Sequence, residues 1–536
     1  MGVTPLARSK VGLWATVLAI FLTVLTLLTG LLSFGAPASA QVSGVVSPEQ
    51  LAADTDATEN SIQPYLDRVA DAVSEFTLDN GMKFIVLERH QAPVVSMMLY
   101  AKVGAVNEAD GHTGVAHYLE HLAFKGTTKI GTTNYAAEAP LLQEMDVVFD
   151  QLMAAEEAGD DAQVEALRSR FETLQAQADS YVEQNKFGQI IEQSGGRGLN
   201  ATTSADATRY FYSLPSNKLE LWMSLESARF LDPVFREFYK EKEVILEERR
   251  MRVDNSPIGQ IIEKFLEVAF DEHPYRRPVI GYQDDLRTAT REDVAQFFDA
   301  YYGPSNLIAT VVGDVDPDNV KALATAYFGR SQARSLPPEV TIQEPPQTQE
   351  KSFELTLPSQ PWYLEGFHRP GINHPDHVVY SMIESILVGG RTSRMYQDLV
   401  EQSQVALNIG SANGFPGDRY DNILLLYGLT APNHTVDDVA ERIDILLTQL
   451  KQDPVTPQEL ERVKTQARAS MLRSLDSNSG MASLLTEYEA KTNDWRNIFK
   501  ELKAIEAVTA EDVQRVAQKT FIPSNRTVGK LLSAEP

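Results

Sequence analysis

Two histidines and a glutamate fall within five positions of the stretch GVAHYLEHLAFKGT, residues 114–127: His117, Glu120 and His121. On a helix, positions i and i+4 share a face, so both imidazoles can point at one ion. Glu120 edges the same face, close enough to work on a water at that ion. The order H-x-x-E-H inverts the better-known zinc helix motif. Catalytic zinc usually takes three protein ligands and leaves a fourth position open. A carboxylate beside that position can accept a proton during hydrolysis. The bland alternative is a polar helix face with two incidental histidines, so a third ligand decides between the two.

The best source of that ligand is FYKEKEVILEERRMRVDN, Phe238 to Asn255. It reads as a helix with Val244, Ile245 and Met251 on its apolar side. Glu241 and Glu248 are two helical turns apart and share a face. One can bind metal while the other holds a ligand histidine. Glu243 and Glu247 compete for either role, and pairing with Lys242, Arg249 or Arg250 is the ordinary fate of such a glutamate.

The elements that must position these residues are legible in outline. SEFTLDNGMKFIVLERH, Ser74 to His90, alternates around Asp79-Asn80-Gly81, a strong hairpin signal. VVSMMLYAKVGAV, which follows it, reads as a buried strand. Thr113 is the expected N-cap of the histidine helix, with Val115, Leu119 and Leu122 as its apolar face. Residues 138–197 are rich in Glu, Gln, Ala and Leu, with a break at Ala158-Gly159-Asp160-Asp161, and predict an exposed helical hairpin. The proline-rich run LPPEVTIQEPPQ, within 333–350, predicts a linker.

The two sides of that linker echo each other. TREDVAQFFDAYYGPSN starts at Thr290 and TAEDVQRVAQKTFIPSN at Thr509, and seven identities keep one offset of 219. An internal duplication follows. The expected fold is α+β: two related α/β domains, each an antiparallel-rich sheet packed with helices, and a helical hairpin insert in the first. The domains are placed at 73–332, carrying the metal site, and at 351–536, without one.

Residues 1–40 read as a secretory signal peptide: Arg8 and Lys10, an apolar run from Val11 to Gly35, then Ala38-Ser39-Ala40. The run is long enough to span a bilayer, so an uncleaved anchor is the competing reading. Either way the rest of the chain is expected outside the cytoplasm, behind a flexible leader at 41–72. The chain has 536 residues, a net charge of −26 and no cysteine. Such acidity argues against a nucleic-acid partner. The missing cysteines exclude disulfides and thiolate ligands, so any metal is held by nitrogen and oxygen.

Over residues 74–530 the chain resembles the pitrilysin (insulinase) family of zinc peptidases, most of all the shorter bacterial members akin to the mitochondrial processing peptidase. The resemblance rests on the opening stretch, on EKEVILEERRMRVDNSP, and on GLNATTSADATRYFYSLP (Gly198 to Pro215), HPYRRPVIGY (His273 to Tyr282) and GGRTSRMYQDLV (Gly389 to Val400). It implies one zinc ion per chain, held by His117, His121 and Glu248. It makes Glu120 the general base and Glu241 the carboxylate that orients a ligand. It implies that a peptide substrate adds as a strand beside Asn200, Ala201 and Thr202, with Phe124 lining the pocket next to the metal.

At one place the chain departs from the resemblance. Family members whose second domain binds substrate carry an arginine and, seven residues later, a tyrosine. Here those positions hold Glu401 and Asn408. The expectation is therefore a heterodimer, with a related sister subunit that lacks zinc and supplies the arginine and tyrosine. His368, His374 and His377 come with no matching glutamates and read as loop or surface histidines. The competing functional readings are a non-catalytic assembly subunit of the same fold and a periplasmic peptide-binding protein.

Overall fold

Residues 63–534 are described by the computed structural model, so the stretch read as a signal peptide and most of the expected leader lie outside the described residues. Residues Gln63–Ala72, expected within the flexible leader, form a helix that runs into the first strand. Strands β1 (Val73–Thr77), β2 (Lys83–Glu88), β3 (Val94–Ala101), β4 (Arg197–Thr203), β5 (Thr208–Pro215) and β6 (Leu307–Gly313) make one sheet. Strands β7 (Lys351–Leu357), β8 (Trp362–Arg369), β9 (Ala406–Phe415), β10 (Asn422–Thr430) and β11 (Arg526–Ser533) make a second. The helices that bear on the site are α1 (Val115–Leu122), α2 (Tyr135–Ala158), α3 (Asp161–Asp179), α4 (Lys186–Gln193), α5 (Phe238–Arg249) and α6 (Pro257–Ala269). Also used below are α7 (Arg291–Tyr301), α8 (His377–Val388), α9 (Asn478–Thr492) and α10 (Ala510–Thr520).

The Asp79–Gly81 turn closes the hairpin that its sequence predicts. β1 and β2 pair antiparallel with Phe76 opposite Phe84, and Gly81 sits at φ 90°, a conformation few other residues adopt. β3 is buried along nearly its whole length, as a strand covered on both faces must be.

The duplication is complete at the level of topology. The first sheet runs β1-β2-β6-β3-β5-β4 and the second β7-β11-β8-β10-β9. Matching β2 to β7, β6 to β11, β3 to β8, β5 to β10 and β4 to β9 superposes the two orders, and only β1 is left over. The one parallel pair falls at the same place in each, β2 with β6 and β7 with β11. The offset of 219 holds through local structure. α7 and α10 each open on a threonine capping box, Thr290 with Asp293 and Thr509 with Asp512. Each is followed by a short Pro-Ser-Asn turn into an interior strand of its sheet.

Two helices pack across the linker. α6, from the first half of the sequence, packs on β7 and β11 of the second sheet, and α9, from the second half, packs on β3 and β6 of the first. Each sheet thus buries one face under a helix lent by the other. Gly366 and Gly529 record the exchange: a Cβ on either would meet a neighbouring phenylalanine ring at 2.8 Å, that of Phe265 for Gly366 and that of Phe353 for Gly529, and Phe265 lies 3.4 Å from the second. On the other side Thr486 Oγ1 meets Thr310 Oγ1 at 2.6 Å in the buried seam. The linker has no helix or strand, yet it is anchored. Glu344 accepts the amides of Asp271, Glu272 and His273, and Gln347 donates to the Arg526 carbonyl.

The insert at 138–197 is a hairpin of α2 and α3, closed by Gly159 in the left-handed conformation and restarted by the Asp160 N-cap. Most of α3 is exposed, as expected, but the hairpin is also docked on the body of the fold. Phe149 of α2 and Phe171 of α3 pack on Tyr239 of α5. At its root Glu138 pairs with Arg236 at 2.9 Å, both side chains fully buried. A charge pair withdrawn from water is tolerable only when its remaining donors are satisfied. Arg236 does so by donating to the carbonyls of Lys125, Thr127 and Ile130, which fixes the turn after α1.

Candidate metal centre

α1 begins one residue later than its sequence predicts, and Thr113 does not cap it. Gly114 precedes the helix at φ 85°, where a Cβ would stand 2.6 Å from the Ile280 carbonyl oxygen. The amides of Gly114 and Ala116 are instead met by the buried carboxylate of Glu108, at 2.9 and 2.8 Å. Thr113 is occupied with Asp285 and with the Tyr282 amide. Anchored this way, α1 buries Val115, Tyr118, Leu119 and Leu122 in the core. His117 and His121 then share the opposite face, their ring centroids 4.9 Å apart.

α5 brings the acids. Ile245 is fully buried, whereas Val244 and Met251 are exposed, so the apolar side of this helix is narrower than expected. Glu243 and Glu247 point to solvent, and Glu247 pairs with Arg250. That leaves Glu241 and Glu248 on the inner face. Glu248 Oε2 lies 3.8 Å from His117 Nε2 and 3.6 Å from His121 Nε2. Glu241 Oε2 accepts from His121 Nδ1 at 3.2 Å.

His117, His121 and Glu248 are the only metal-capable group of three or more among the described residues, their ligand atoms all within 4.8 Å of one another. Two ligand atoms on one zinc ion at tetrahedral angles lie roughly 3.3–3.5 Å apart. The observed carboxylate-to-imidazole separations are a few tenths wider, which a small side-chain rotation closes. The donor set is two neutral nitrogens and one carboxylate oxygen, a set suited to a catalytic zinc. The residues present therefore fit the ion that the sequence pattern implies.

At His117 electrostatics favour the same use. Burial, then the neighbouring His121 and Arg252, push His117 down to about 3, so its ring nitrogen keeps a free lone pair at neutral pH. Burial also pulls His121 down, but the Glu241 hydrogen bond and the charges of Glu248, Glu241 and Glu120 outweigh it and raise the net value. Burial raises Glu120, with Glu248 adding to it and Thr203 and His121 opposing. These directions belong to the protein groups alone, and a dication beside them favours the deprotonated form of each.

Glu120 stands at the edge of this group, its Oε2 hydrogen-bonded by Thr203 Oγ1 at 2.5 Å. Thr203 ends β4, the edge strand of the first sheet, which pairs only with β5 among the described residues. The Ala201 amide is met by the Asn200 side chain rather than by another strand. A cavity of about 410 Å³ opens between α1, β4 and the segment leading into α4, and Glu120, His121, Phe124, Asn200 and Ala201 line it. Thr202, also expected at the substrate edge, is exposed and is not part of its lining.

Three residues of the centre escaped the sequence reading: Thr203 on Glu120, Lys125 on Glu241, and Arg252, whose Nη1 lies 2.6 Å from Glu248 Oε1. Spacing offers no signal for Thr203 and Lys125, whose partners are set by the tertiary fold, whereas Arg252 stands four residues after Glu248, the usual acid–base spacing of a helix.

The second half has no such group among the described residues. α8 stands where α1 stands in the first, and no metal-capable cluster forms around it among the described residues. His368 lies in β8 and bonds the Ala269 carbonyl, and His377 opens α8 beside Arg369, so neither is the surface histidine expected. Glu401 and Asn408 are both exposed.

Comparison with known proteins agrees with this division. The model for "Insulinase (Peptidase family M16)" matches residues 83–142 and 173–283, an interval that contains His117, Glu120, His121, Glu241 and Glu248. It omits 143–172, the distal part of the α2–α3 hairpin. The model for "Peptidase M16 inactive domain" matches residues 288–467. Zinc protease PqqE of Helicobacter pylori is 28% identical over 463 residues, 84% of this chain and 90% of that protein. A crystal structure of a protease from Helicobacter pylori aligns with TM-score 0.73 and 26% identity, covering 87% of this chain and 99% of that one. The periplasmic protease PqqL from Escherichia coli shares the fold at TM-score 0.64 and 18% identity, over 86% of this chain and 48% of its own.

Proposed function

The chain belongs to the insulinase family of peptidases, M16, and from that premise we propose that it is a zinc-dependent endopeptidase of unfolded peptides. We read it further as the metal-bearing subunit of a heterodimer that acts outside the cytoplasm. The observation that carries the reading is the convergence of His117 Nε2, His121 Nε2 and Glu248 Oε2 beside Glu120, at the rim of an open edge strand.

His117, His121 and Glu248 would hold the zinc ion. When bound, zinc polarises a peptide carbonyl and lowers the pKa of water at its open position toward neutrality. The chain's own residues supply the rest. β4 offers its free edge to the backbone of an extended peptide, while the cavity beside Phe124 accepts a side chain. Glu120 takes a proton from the attacking water and later delivers it to the leaving amine, so its burial-raised affinity for a proton suits both halves of the task. Thr203 holds one oxygen of Glu120 and leaves the other free for that transfer.

Thr203→Val is expected to keep zinc and fold but to lower kcat at least tenfold, with KM little changed. A hydrogen bond to a charged group is worth about 1.5–3 kcal/mol, and each 1.36 kcal/mol is tenfold in rate. Thr203→Ser, which restores the hydroxyl, is expected to recover most of the rate. Steady-state kinetics of the two variants decide it, and an unchanged kcat in the valine variant removes Thr203 from the mechanism.

The partner is argued from what the second half lacks. Glu401 has the wrong sign to steady a peptide carbonyl and Asn408 has no phenol, so a related chain is expected to bring the arginine and tyrosine. The purified chain should hydrolyse an unstructured peptide weakly alone and strongly with its sister, and a chelator should abolish both activities. Full activity alone would remove the partner requirement. A zinc-loaded complex without hydrolysis would favour the non-catalytic assembly role.

Export is supported by the N-terminal pattern. No helix among the described residues is long and apolar enough to cross a membrane. The Escherichia coli fold neighbour is itself periplasmic.

A further inference from the structure

We propose that Lys125 is a positioning residue of the metal centre, holding Glu241 so that Glu241 can hold His121. The inference rests on the zinc reading above and extends it by one layer. Lys125 Nζ lies 2.5 Å from Glu241 Oε1 and 3.3 Å from Glu237 Oε2. Glu241 Oε2 is then free to accept the proton on His121 Nδ1, at 3.2 Å. With its proton fixed on Nδ1, His121 presents a bare Nε2 lone pair toward Glu248.

Three features make this relay matter. His117 Nδ1 is buried and has no hydrogen-bond partner, so of the two histidines only His121 has its outer nitrogen supported. Glu237 and Glu241 are also four apart, the first just before α5 and the second within it, where like charges repel. The Lys125 ammonium sits between them. Without it Glu241 is expected to turn away from Glu237 and release the ring of His121. Finally, the backbone that carries the ammonium is fixed: the Lys125 carbonyl accepts from Arg236, and Arg236 is clamped by the fully buried Glu138 at the root of the hairpin.

The test is zinc affinity, measured by competition with a chromophoric chelator, which requires no peptidase activity. Lys125→Met is expected to weaken zinc binding by about 10–100-fold, the usual cost of losing an outer partner of a ligand. Lys125→Arg, which keeps the charge and the donors, is expected to stay within a few-fold of wild type. Thermal unfolding of the metal-free proteins checks that both variants fold, and if the methionine variant does not, Lys125→Gln carries the same comparison. In a double-mutant cycle, Lys125→Met added to Glu241→Gln should cost little more than Glu241→Gln alone, because both break one relay. Unchanged zinc affinity in Lys125→Met, or full additivity in the cycle, overturns the proposal while leaving the peptidase reading intact. A wild-type chain that binds no zinc overturns both.

Discussion

Glu120→Gln is expected to retain zinc and lose turnover. The three atoms that would hold the ion belong to His117, His121 and Glu248, and none of them changes. The amide oxygen can still accept the hydrogen bond from Thr203 Oγ1, so the side chain keeps its place. An amide cannot take up a proton at neutral pH, however. The loss is that of general base and general acid together, on the order of 10²–10⁴-fold in kcat. Peptide binding along β4 does not depend on Glu120, so KM should move little and the variant should accumulate bound, uncleaved peptide. Metal analysis beside single-turnover hydrolysis separates the two effects. Full hydrolysis by this variant would mean that another group activates water and that the mechanism is wrong. Loss of zinc with the activity would mean that Glu120 is a ligand.

Much of this centre is legible without coordinates, because it is written in spacing. A helix repeats every 3.6 residues, so His117 with His121 and Glu241 with Glu248 announce their shared faces. The Asp79–Gly81 turn and the offset of 219 are local patterns too, and the structure keeps both. Periodicity shows that a helix has an apolar face but not what covers it. Nothing in the α6 or α9 sequences says that each lies on the sheet built by the other half of the chain. The strands of one sheet all precede the proline-rich linker and those of the other all follow it, while α6 and α9 each pack across it.

The same limit explains the smaller misses. Thr113 precedes α1 and has the right chemistry for an N-cap, but Glu108, six and eight residues from the amides it serves, reaches them first. Along β4 the sequence suggested Asn200, Ala201 and Thr202 and stopped one residue short. Successive strand residues face opposite ways, and Thr202 is exposed. Thr203 is the one turned toward Glu120. The hairpin's polar composition matches the exposure of most of α3 but does not show that Phe149 and Phe171 pack on Tyr239.

Glu248→Gln should cost more than its lost charge suggests. In the wild type the two carboxylate oxygens are divided: Oε1 lies 2.6 Å from the Arg252 guanidinium and Oε2 faces the two imidazole nitrogens. A guanidinium only donates, and an amide has one acceptor oxygen. The substituted side chain therefore meets Arg252 with its oxygen and turns its NH₂ toward His117 and His121, where a ligand atom is needed. The site loses a negative charge and receives a donor in place of an acceptor. Zinc affinity is expected to fall by well over 100-fold, beyond the 10–100-fold typical of an outer-shell loss, and hydrolysis should fall with it. Raising the zinc concentration should restore part of the activity, which it cannot do for Glu120→Gln, and that contrast assigns the two glutamates their separate roles. Should Glu248→Gln bind zinc as tightly as wild type, the third ligand lies elsewhere and the centre described here is misassigned.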